Sequence, residues 1–459
     1  MKKETRTISG VTPVAVMSQP APCPGHCVYC PDFSETPRSY TPHSPAVIRA
    51  IRYGYDPGEQ VKARLRILAD MGHPTDKIEL IIMGGTFLAT PLEYQNKFIK
   101  ACFDALNGIP SETLQGAQQQ NELALNRAVG LCIETRPDVC EDREIERMIS
   151  WGVTRVELGV QMIDDSIYNL VKRGHRVSAV IKATERLRRA GLKVHYHWMP
   201  GLPGSSPEHD LELTRQLFDD PSFRPDGLKI YPTMVIENTE LETWRREGLY
   251  TPYSNDIMIG LIAEIKKTVP AYVRISRVLR DIPAEYITDG LRNSLRDGVQ
   301  ARLNQEGSSC HCIRCREFGL RKRNKSAIGS PSLRRIAYEA SHGLEIFLSY
   351  EDANDTLYGL LRLRIQDRNP IPLLNLEGNV ALIRELHVYG SEVGLKGRDK
   401  GSAQHRGYGR ELVKQAEDIS AKEFGANFMA VLAGVGARAY YRELGYEFLS
   451  GYMVKKLSE

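Results

Sequence analysis

No run of apolar residues in this chain of 459 approaches the length of a membrane span, which argues against an integral membrane protein. The opening Met1-Lys2-Lys3-Glu4-Thr5-Arg6 is not followed by the apolar core of a signal peptide, and the expected compartment is the cytoplasm. An excess of one charge is missing too. Lys and Arg number 61 against 57 Asp and Glu, and the resulting +4 says little about nucleic acid by itself. Nor is there a disulfide framework. The nine cysteines form two tight clusters plus Cys102, Cys132 and Cys140 among apolar segments, which in a reducing compartment reads as metal ligands and buried thiols. What remains is an ordinary globular composition, 42% apolar and 26% charged, long enough for two or three domains.

The first cluster is Cys23-Pro24-Gly25-His26-Cys27-Val28-Tyr29-Cys30-Pro31. A C-x3-C-x2-C spacing lets one short loop turn three thiolates toward a point. Three cysteines suit an iron-sulfur cluster with one open iron better than tetrahedral zinc, which would use a fourth protein ligand. The loop resembles the signature of the radical SAM superfamily, and the resemblance extends to about residue 300. It implies a 4Fe-4S cluster on Cys23, Cys27 and Cys30. S-adenosylmethionine would bind the open iron and be cleaved to a 5′-deoxyadenosyl radical.

Beyond this loop, apolar runs at 78–83, 131–136, 155–161, 193–199 and 227–231 alternate with helical spacing at 47–71, 94–106, 142–151 and 178–190. Repeated β-α units predict a parallel sheet in a partial or full barrel, with residues 108–120 as an exposed polar loop. Functional groups on such a barrel gather where strands end. Gly84, Gly85 and Thr86 close one strand in the manner of the radical SAM glycine motif. Glu134, Arg136, Glu157, Gln161, His197 and Lys229 stand at or near other strand ends. A charge buried there needs a partner or a ligand, so each is a site candidate, with an internal ion pair as the competing account. Glu134 and Gln161 are expected to face the cofactor, and Lys229 and His197 to act near SAM or the base.

The second cluster, Cys310-His311-Cys312-Ile313-Arg314-Cys315, reads as zinc held by Cys310, Cys312 and Cys315. The fourth ligand is open between His311, which Cys312 constrains, and a distant histidine or carboxylate. Arg316, Arg321, Lys322, Arg323, Lys325, Arg334 and Arg335 follow, opposed almost only by Glu317, with a break at Gly329-Ser330-Pro331. A surface tracking RNA phosphates is expected at Arg321, Lys322, Arg323 and Lys325. Lys2, Lys3 and Arg6, in a segment of 22 residues without strand or helix period, would add a basic arm.

From about residue 337 the pattern becomes antiparallel: a hairpin at 345–351 and 357–364, then a strand at 380–389. Gln404-His405-Arg406-Gly407-Tyr408-Gly409-Arg410 opens a helix ending near 424. Backbone N–H groups there can hold a pyrophosphate. The G-x-G-x-x-G of a dinucleotide fold is absent. The arrangement resembles the GNAT acetyltransferases. That resemblance implies acetyl-CoA held by Gln404, Gly407, Tyr408, Gly409 and Arg410, its pantetheine along Glu385, Leu386, His387 and Val388, and its thioester against Tyr441 of the Tyr440-Tyr441 pair.

The runs Ile82-Met83-Gly84-Gly85-Thr86-Phe87, Ile133-Glu134-Thr135-Arg136-Pro137-Asp138, Arg384-Glu385-Leu386-His387-Val388-Tyr389-Gly390 and Tyr440-Tyr441-Arg442 together resemble the catalytic subunit of Elongator and its single-protein relatives. The expected architecture is α/β: a basic arm (1–22), a radical SAM partial (β/α) barrel (23–300), a zinc-binding and basic hinge (301–335) and a GNAT α+β domain (336–459). The resemblance implies tRNA as partner and 5-carboxymethyluridine at the wobble position as product. It also implies that Lys77 touches acetyl-CoA from the barrel side, and that both cofactors share one cavity. The alternatives are a protein lysine acetyltransferase with the barrel as scaffold, a radical SAM methylthiolase, and a tRNA scaffold without catalysis. A homodimer is left open.

Overall fold

The computed structural model describes residues 7–290, 295–366, 374, 376–389 and 407–457. In the first half β1 (Thr12–Met17), β2 (Lys77–Met83), β3 (Arg127–Thr135), β4 (Arg155–Gln161), β5 (Lys193–Trp198) and β6 (Gly227–Ile230) lie side by side and parallel. β7 (Val235–Ile236) leaves this sheet, β8 (Arg274–Arg277) completes it beside β6, and β9 (Ile287–Asp289) pairs with β7. Parallel neighbours need crossovers, and helices such as Pro57–Asp70, Leu92–Asn107 and Val177–Arg189 supply them. In β2 the alternation is strict: Ile78, Leu80 and Ile82 are fully buried in the main core, while Glu79, Ile81 and Met83 face inward. The same period turns Arg155, Glu157, Gly159 and Gln161 of β4, and Lys193, His195 and His197 of β5, toward the lumen.

Several expectations are corrected. Residues 12–17 are not part of an arm but the edge strand of the barrel, paired with β2 from Thr12↔Ile78 to Met17↔Met83. The supposed loop at 108–120 contains the helix Leu114–Asn121, with Ala117, Gln118 and Asn121 buried. The stretch 47–71 is two helices, Pro45–Arg52 and Pro57–Asp70, separated by Gly54 and Tyr55 at positive φ and restarted by an Asp56 cap. Arg334 and Arg335 belong to β10 (Ser332–Ala340) rather than to a hinge.

β11 (Gly343–Glu351) and β12 (Leu357–Ile365) form the foreseen hairpin, followed by β13 (Val380–Val388), β14 (Phe428–Val431), β15 (Glu447–Leu449) and β16 (Tyr452–Lys456). The order is β10-β11-β12-β13-β14-β16-β15, antiparallel except where β13 meets β14. The helix Tyr408–Phe424 makes that crossover. β13 follows β12 to Val388 past a bulge near Arg384, but its pairing with β14 stops at Ile383. The two strands therefore part over the last residues of β13.

The second domain packs where the barrel strands begin. Arg384 donates to Asp226, just before β6, at 2.7 and 2.9 Å. Lys193, the first residue of β5, meets Glu385 at 3.2 Å, and Tyr452 donates to the Ala190 carbonyl at 2.8 Å. Arg188, Arg362, Arg364, Arg384, Asp226 and Glu345 are all buried in this interface.

Candidate active site at the barrel mouth

The cysteine loop lies at the opposite end, where the strands finish. Val28 holds it in place, donating to the Val171 carbonyl at 3.2 Å and accepting from the Leu241 N–H at 2.9 Å. A Cβ on Gly25 would fall 2.0 Å from Arg136 Nη1, so a larger residue there would have to displace that guanidinium. Arg136, expected at a strand end, grips Asp138 through two 2.9 Å bonds and donates to the Arg173 carbonyl at 2.9 Å. Arg173 in turn donates to Cys27 Sγ at 3.4 Å. The Cys27 thiol is held well below its ordinary range, first by a hydrogen bond from Cys30 and then by Arg173, against the effect of burial.

A cavity of about 520 Å³ opens beside the loop, a size suited to a cofactor. Cys23, Cys27, Cys30, Gly85, Thr86, Glu134, Gln161, His197 and Lys229 all line it. Thr86 Oγ1 stands 3.6 Å from Cys23 Sγ. Gly85 has φ 76° and faces the cavity. Gly84 does a different job: a Cβ there would meet Ser18 Oγ at 1.9 Å, so it lets β1 and β2 finish close together. Gln161 holds φ 71° without being glycine, a strained backbone at the end of β4.

Buried polar atoms almost always find partners. Around this cavity Thr135 Oγ1, Arg136 Nη1, Gln161 Oε1 and Arg173 Nε have none. Four such atoms on residues that line one space, together with three thiols, fit a polar, sulfur-ligated group. That is the donor set a cluster and SAM require.

Below the loop an ion-paired cage fills the lumen. Lys229 contacts Glu134 at 3.1 Å and Glu157 more closely, His197 Nε2 lies 3.2 Å from Glu157, and Tyr40 donates to Glu134 at 2.6 Å. Burial alone would raise the Glu157 pKa, but Lys229, the His197 hydrogen bond and Arg155 outweigh it and hold it well below the carboxylate range. Burial would likewise lower Lys229, yet Glu157, Tyr231 and Glu134 keep it well above its ordinary value. Both groups are therefore ionised at neutral pH. Arg155 continues the column downward to Glu79 and the Cys132 sulfur. Burial and Arg155 keep His195 neutral.

The acyl-CoA residues gather at the other end. Gly407, at φ 93°, precedes the first turn of Tyr408–Phe424, and Tyr408 packs against Tyr350 with ring centroids 4.9 Å apart. A Cβ on Gly409 would lie 3.0 Å from Tyr440 Oη and 3.7 Å from Val388 Cγ2, so glycine loop, parted strand and tyrosine pair converge. The buried hydroxyl without a partner there is that of Tyr440. Tyr441 sits in the domain core, edge-on to Tyr440 and Tyr446. Arg410 is exposed and paired with Glu443 at 3.0 Å. Side chains of the strand segment are engaged elsewhere: Glu385 with Lys193 and Arg362, His387 with the Ser9 carbonyl at 2.6 Å. Leu386 packs against the domain's own core. Lys77 starts β2, on the side of the barrel facing this domain. Gln404 lies outside the described residues, as do Lys2, Lys3 and Arg6. The expectation of one cavity shared by both cofactors falls partly on residues 390–406, outside the described residues; among those described, none beyond Ile282 lines the mouth cavity. The lumen lies between the two regions.

The sulfurs of Cys310, Cys312 and Cys315 lie within 4.8 Å of one another. His311 is exposed and turned away, with Nδ1 on Asp355 at 2.9 Å. No fourth ligand joins the trio among the described residues. The helix Phe318–Arg323 follows, leaving Lys322, Arg323 and Lys325 exposed and Arg321 half-buried. Gly319 packs on the Ile8 carbonyl, so the described N-terminal residues lie against this basic helix.

Sequence reasoning missed Tyr40, Arg173 and the Asp226–Arg384 interface. Arg173 sits in a short loop with no motif around it, and only three-dimensional proximity to Cys27 marks it.

Residues 22–217 match the Radical SAM superfamily, 225–305 the Radical_SAM C-terminal domain and 319–446 the Acetyltransferase (GNAT) family. The chain is 62% identical over its whole length to a tRNA uridine(34) acetyltransferase of Dehalococcoides mccartyi, which it also covers completely. It is 42% identical to human Elongator complex protein 3, matching 99% of this chain and 86% of that one. The solved structure of archaeal Methanocaldococcus infernus Elp3 with an N-terminal deletion superposes with a TM-score of 0.87 at 45% identity, over 98% of this chain and 100% of that one. No helix among the described residues is long and apolar enough to cross a membrane. With a thiol-lined cavity at one end of a parallel barrel and a GNAT fold docked on the other, this chain belongs to the family of Elongator complex protein 3.

Proposed function

We propose that the protein forms 5-carboxymethyluridine at the wobble position of tRNA, drawing the new carbons from acetyl-CoA. The carrying observation is that one chain joins a three-cysteine cavity, lined by residues with unsatisfied polar atoms, to a GNAT domain whose glycine-led helix start converges on a parted strand. The cluster and SAM would supply the radical that removes a methyl hydrogen from the acetyl group. Cys23, Cys27 and Cys30 would hold the cluster, with Gly85, Thr86, Glu134 and Gln161 around SAM.

The chain's own residues do the positioning. Glu157 and Lys229 are locked as an ion pair and offer fixed charge rather than a mobile proton. His197, against Glu157, would be the group to hold or pass a proton beside the uridine base. At the GNAT end, backbone N–H groups from Gly407 to Arg410 would hold the pyrophosphate and Glu385 to Val388 the pantetheine. Tyr440, with Tyr441 behind it, would face the thioester. Lys193 and His197 are four residues apart on β5, so about 13 Å of strand separates the barrel's two ends. The acyl unit has at least that distance to cover.

Cys310, Cys312 and Cys315 would take zinc with an outside fourth ligand, and Arg321, Lys322, Arg323 and Lys325 would meet tRNA phosphates. A cytoplasmic location suits a tRNA substrate. The reading as a protein lysine acetyltransferase leaves the unsatisfied mouth cavity without a purpose. Anaerobic incubation with SAM, acetyl-CoA, reductant and tRNA, followed by mass analysis of the nucleosides, should yield carboxymethylated uridine. Deoxyadenosine released with every uridine unchanged would overturn the proposal.

A further inference from the structure

Arg173 is 4% exposed, and no carboxylate pairs with it among the described residues. A buried cation in that position is unfavourable unless something anionic faces it. Its guanidinium reaches three ways: Nη1 donates to Cys27 Sγ at 3.4 Å, Nη2 donates to the Gly159 carbonyl, and Nε, also buried, has no partner. Its backbone is anchored as well, the N–H donating to the Tyr168 carbonyl at 2.9 Å and the carbonyl accepting from Arg136 at 2.9 Å. The strap that carries it, Val171-Lys172-Arg173, also binds Val28 of the cysteine loop. Sulfur and guanidinium are thus set in place from both sides by backbone hydrogen bonds.

We infer that Arg173 is the positioning cation of the cysteine-held cluster, with its charge and its Nη1–H on the Cys27 sulfur setting how readily that cluster accepts an electron. The inference rests on the cluster reading above. Each electron taken up adds one negative charge beside the guanidinium, and both a nearby cation and N–H donation to a ligand sulfur favour the more negative state. The chain would use Arg173 to bring the cluster's reduction within reach of a cellular donor.

The test compares wild type, Arg173→Lys and Arg173→Gln in the full chain, each reconstituted with iron and sulfide under anaerobic conditions. Iron is counted, and the cluster is titrated by electron paramagnetic resonance against a set of redox mediators. Arg173→Gln should bind an electron at least tenfold less favourably than wild type, 59 mV for one electron. Arg173→Lys, which keeps the charge but not the fork, should fall between them. If Arg173→Gln loses iron instead, retention by Arg173→Lys supports the same conclusion, because the two differ in charge. Potentials equal to that of wild type in both variants, or equal loss of iron from both, would overturn it. A wild-type chain that takes up no iron at Cys23, Cys27 and Cys30 would sink the cluster reading itself, which separates the two failures.

Discussion

Asp226 is where the two domains are most exposed to a single change. It is fully buried, takes two bonds from Arg384 at 2.7 and 2.9 Å, accepts from the Val194 N–H at 2.9 Å, and has Arg362 and Arg188 at 3.5 and 3.7 Å. Asp226→Asn keeps the shape and removes the charge. Arg188, Arg362, Arg364 and Arg384 would then face only Glu345 and Glu385. At an effective dielectric of about 20, one contact at the Arg384 distance is worth about 6 kcal/mol gross, and desolvation offsets part of it. Breaking a buried pair from one side leaves a net loss of about 3–5 kcal/mol. Against a urea slope of about 3 kcal/mol per molar, that lowers a midpoint by about 1 M or more. The loss should fall on the interface, so the variant should unfold in two steps, barrel and GNAT domain apart, when followed by circular dichroism together with hydrogen exchange at Val194. The Asp226 pKa is depressed: burial would raise it, but Arg384, Arg188 and Arg362 more than compensate. Its contribution is therefore complete above the unfolded value of about 3.9 and fades as pH falls through the lower folded value. The gap between wild type and variant should close in acid. A variant that melts with wild type at neutral pH, in one step, would refute the interface argument.

Cys27→Ser should abolish deoxyadenosine release and lower bound iron. Unchanged release on SAM incubation would remove the cluster from this loop. Gly409→Glu inserts a side chain where even a Cβ would stand 3.0 Å from Tyr440 Oη, and should eliminate acetyl-CoA binding in calorimetry while the melting profile stays intact; normal binding would count against the glycine loop. Cys312→Ser should cost the protein its zinc, measured by elemental analysis, with loss of stability at the junction; undiminished zinc would place the metal elsewhere. Reversing charge at Lys322 and Arg323 should weaken tRNA binding and flatten its salt slope by about 1–2 units, and an unchanged slope would move the RNA surface off this helix.

The barrel was largely visible in the sequence because a parallel sheet covered by helices needs near-continuous apolar strands, as in Leu80-Ile81-Ile82-Met83. β1 was hidden by its own chemistry. Pro13 argues against a central strand, yet β1 is an edge strand, where a missing N–H is tolerated. The helix Leu114–Asn121 was hidden because amides do its packing. Asn121 donates to Asn107 at 2.8 Å and accepts from the Ala128 N–H at 2.8 Å, and Gln118 donates to the Ser150 carbonyl at 2.9 Å. A hydrophobic pattern cannot report such contacts. The two cysteine clusters were legible because their thiols are near neighbours in sequence, whereas Arg173 and Cys27 are 146 positions apart.

The lumen between the two sites calls for a separate explanation. A barrel core of branched aliphatic residues would be cheaper than Glu79, Arg155, Glu157, Lys193 and Lys229, since buried ion pairs seldom repay their desolvation. Stability is therefore not what these residues supply. Their arrangement is directional: Lys193 meets Glu385 of the GNAT strand below, Arg155 joins Glu79 to Glu157, and Lys229 joins Glu157 to Glu134 at the mouth. Charges fixed in this way have already been oriented by folding and need not reorganise when chemistry begins in the cavity above them. The same interlocking explains why Lys229 cannot serve as a simple base. Removing its proton would leave Glu134 and Glu157 as two facing anions, and the column holds it protonated so that the mouth keeps its cation.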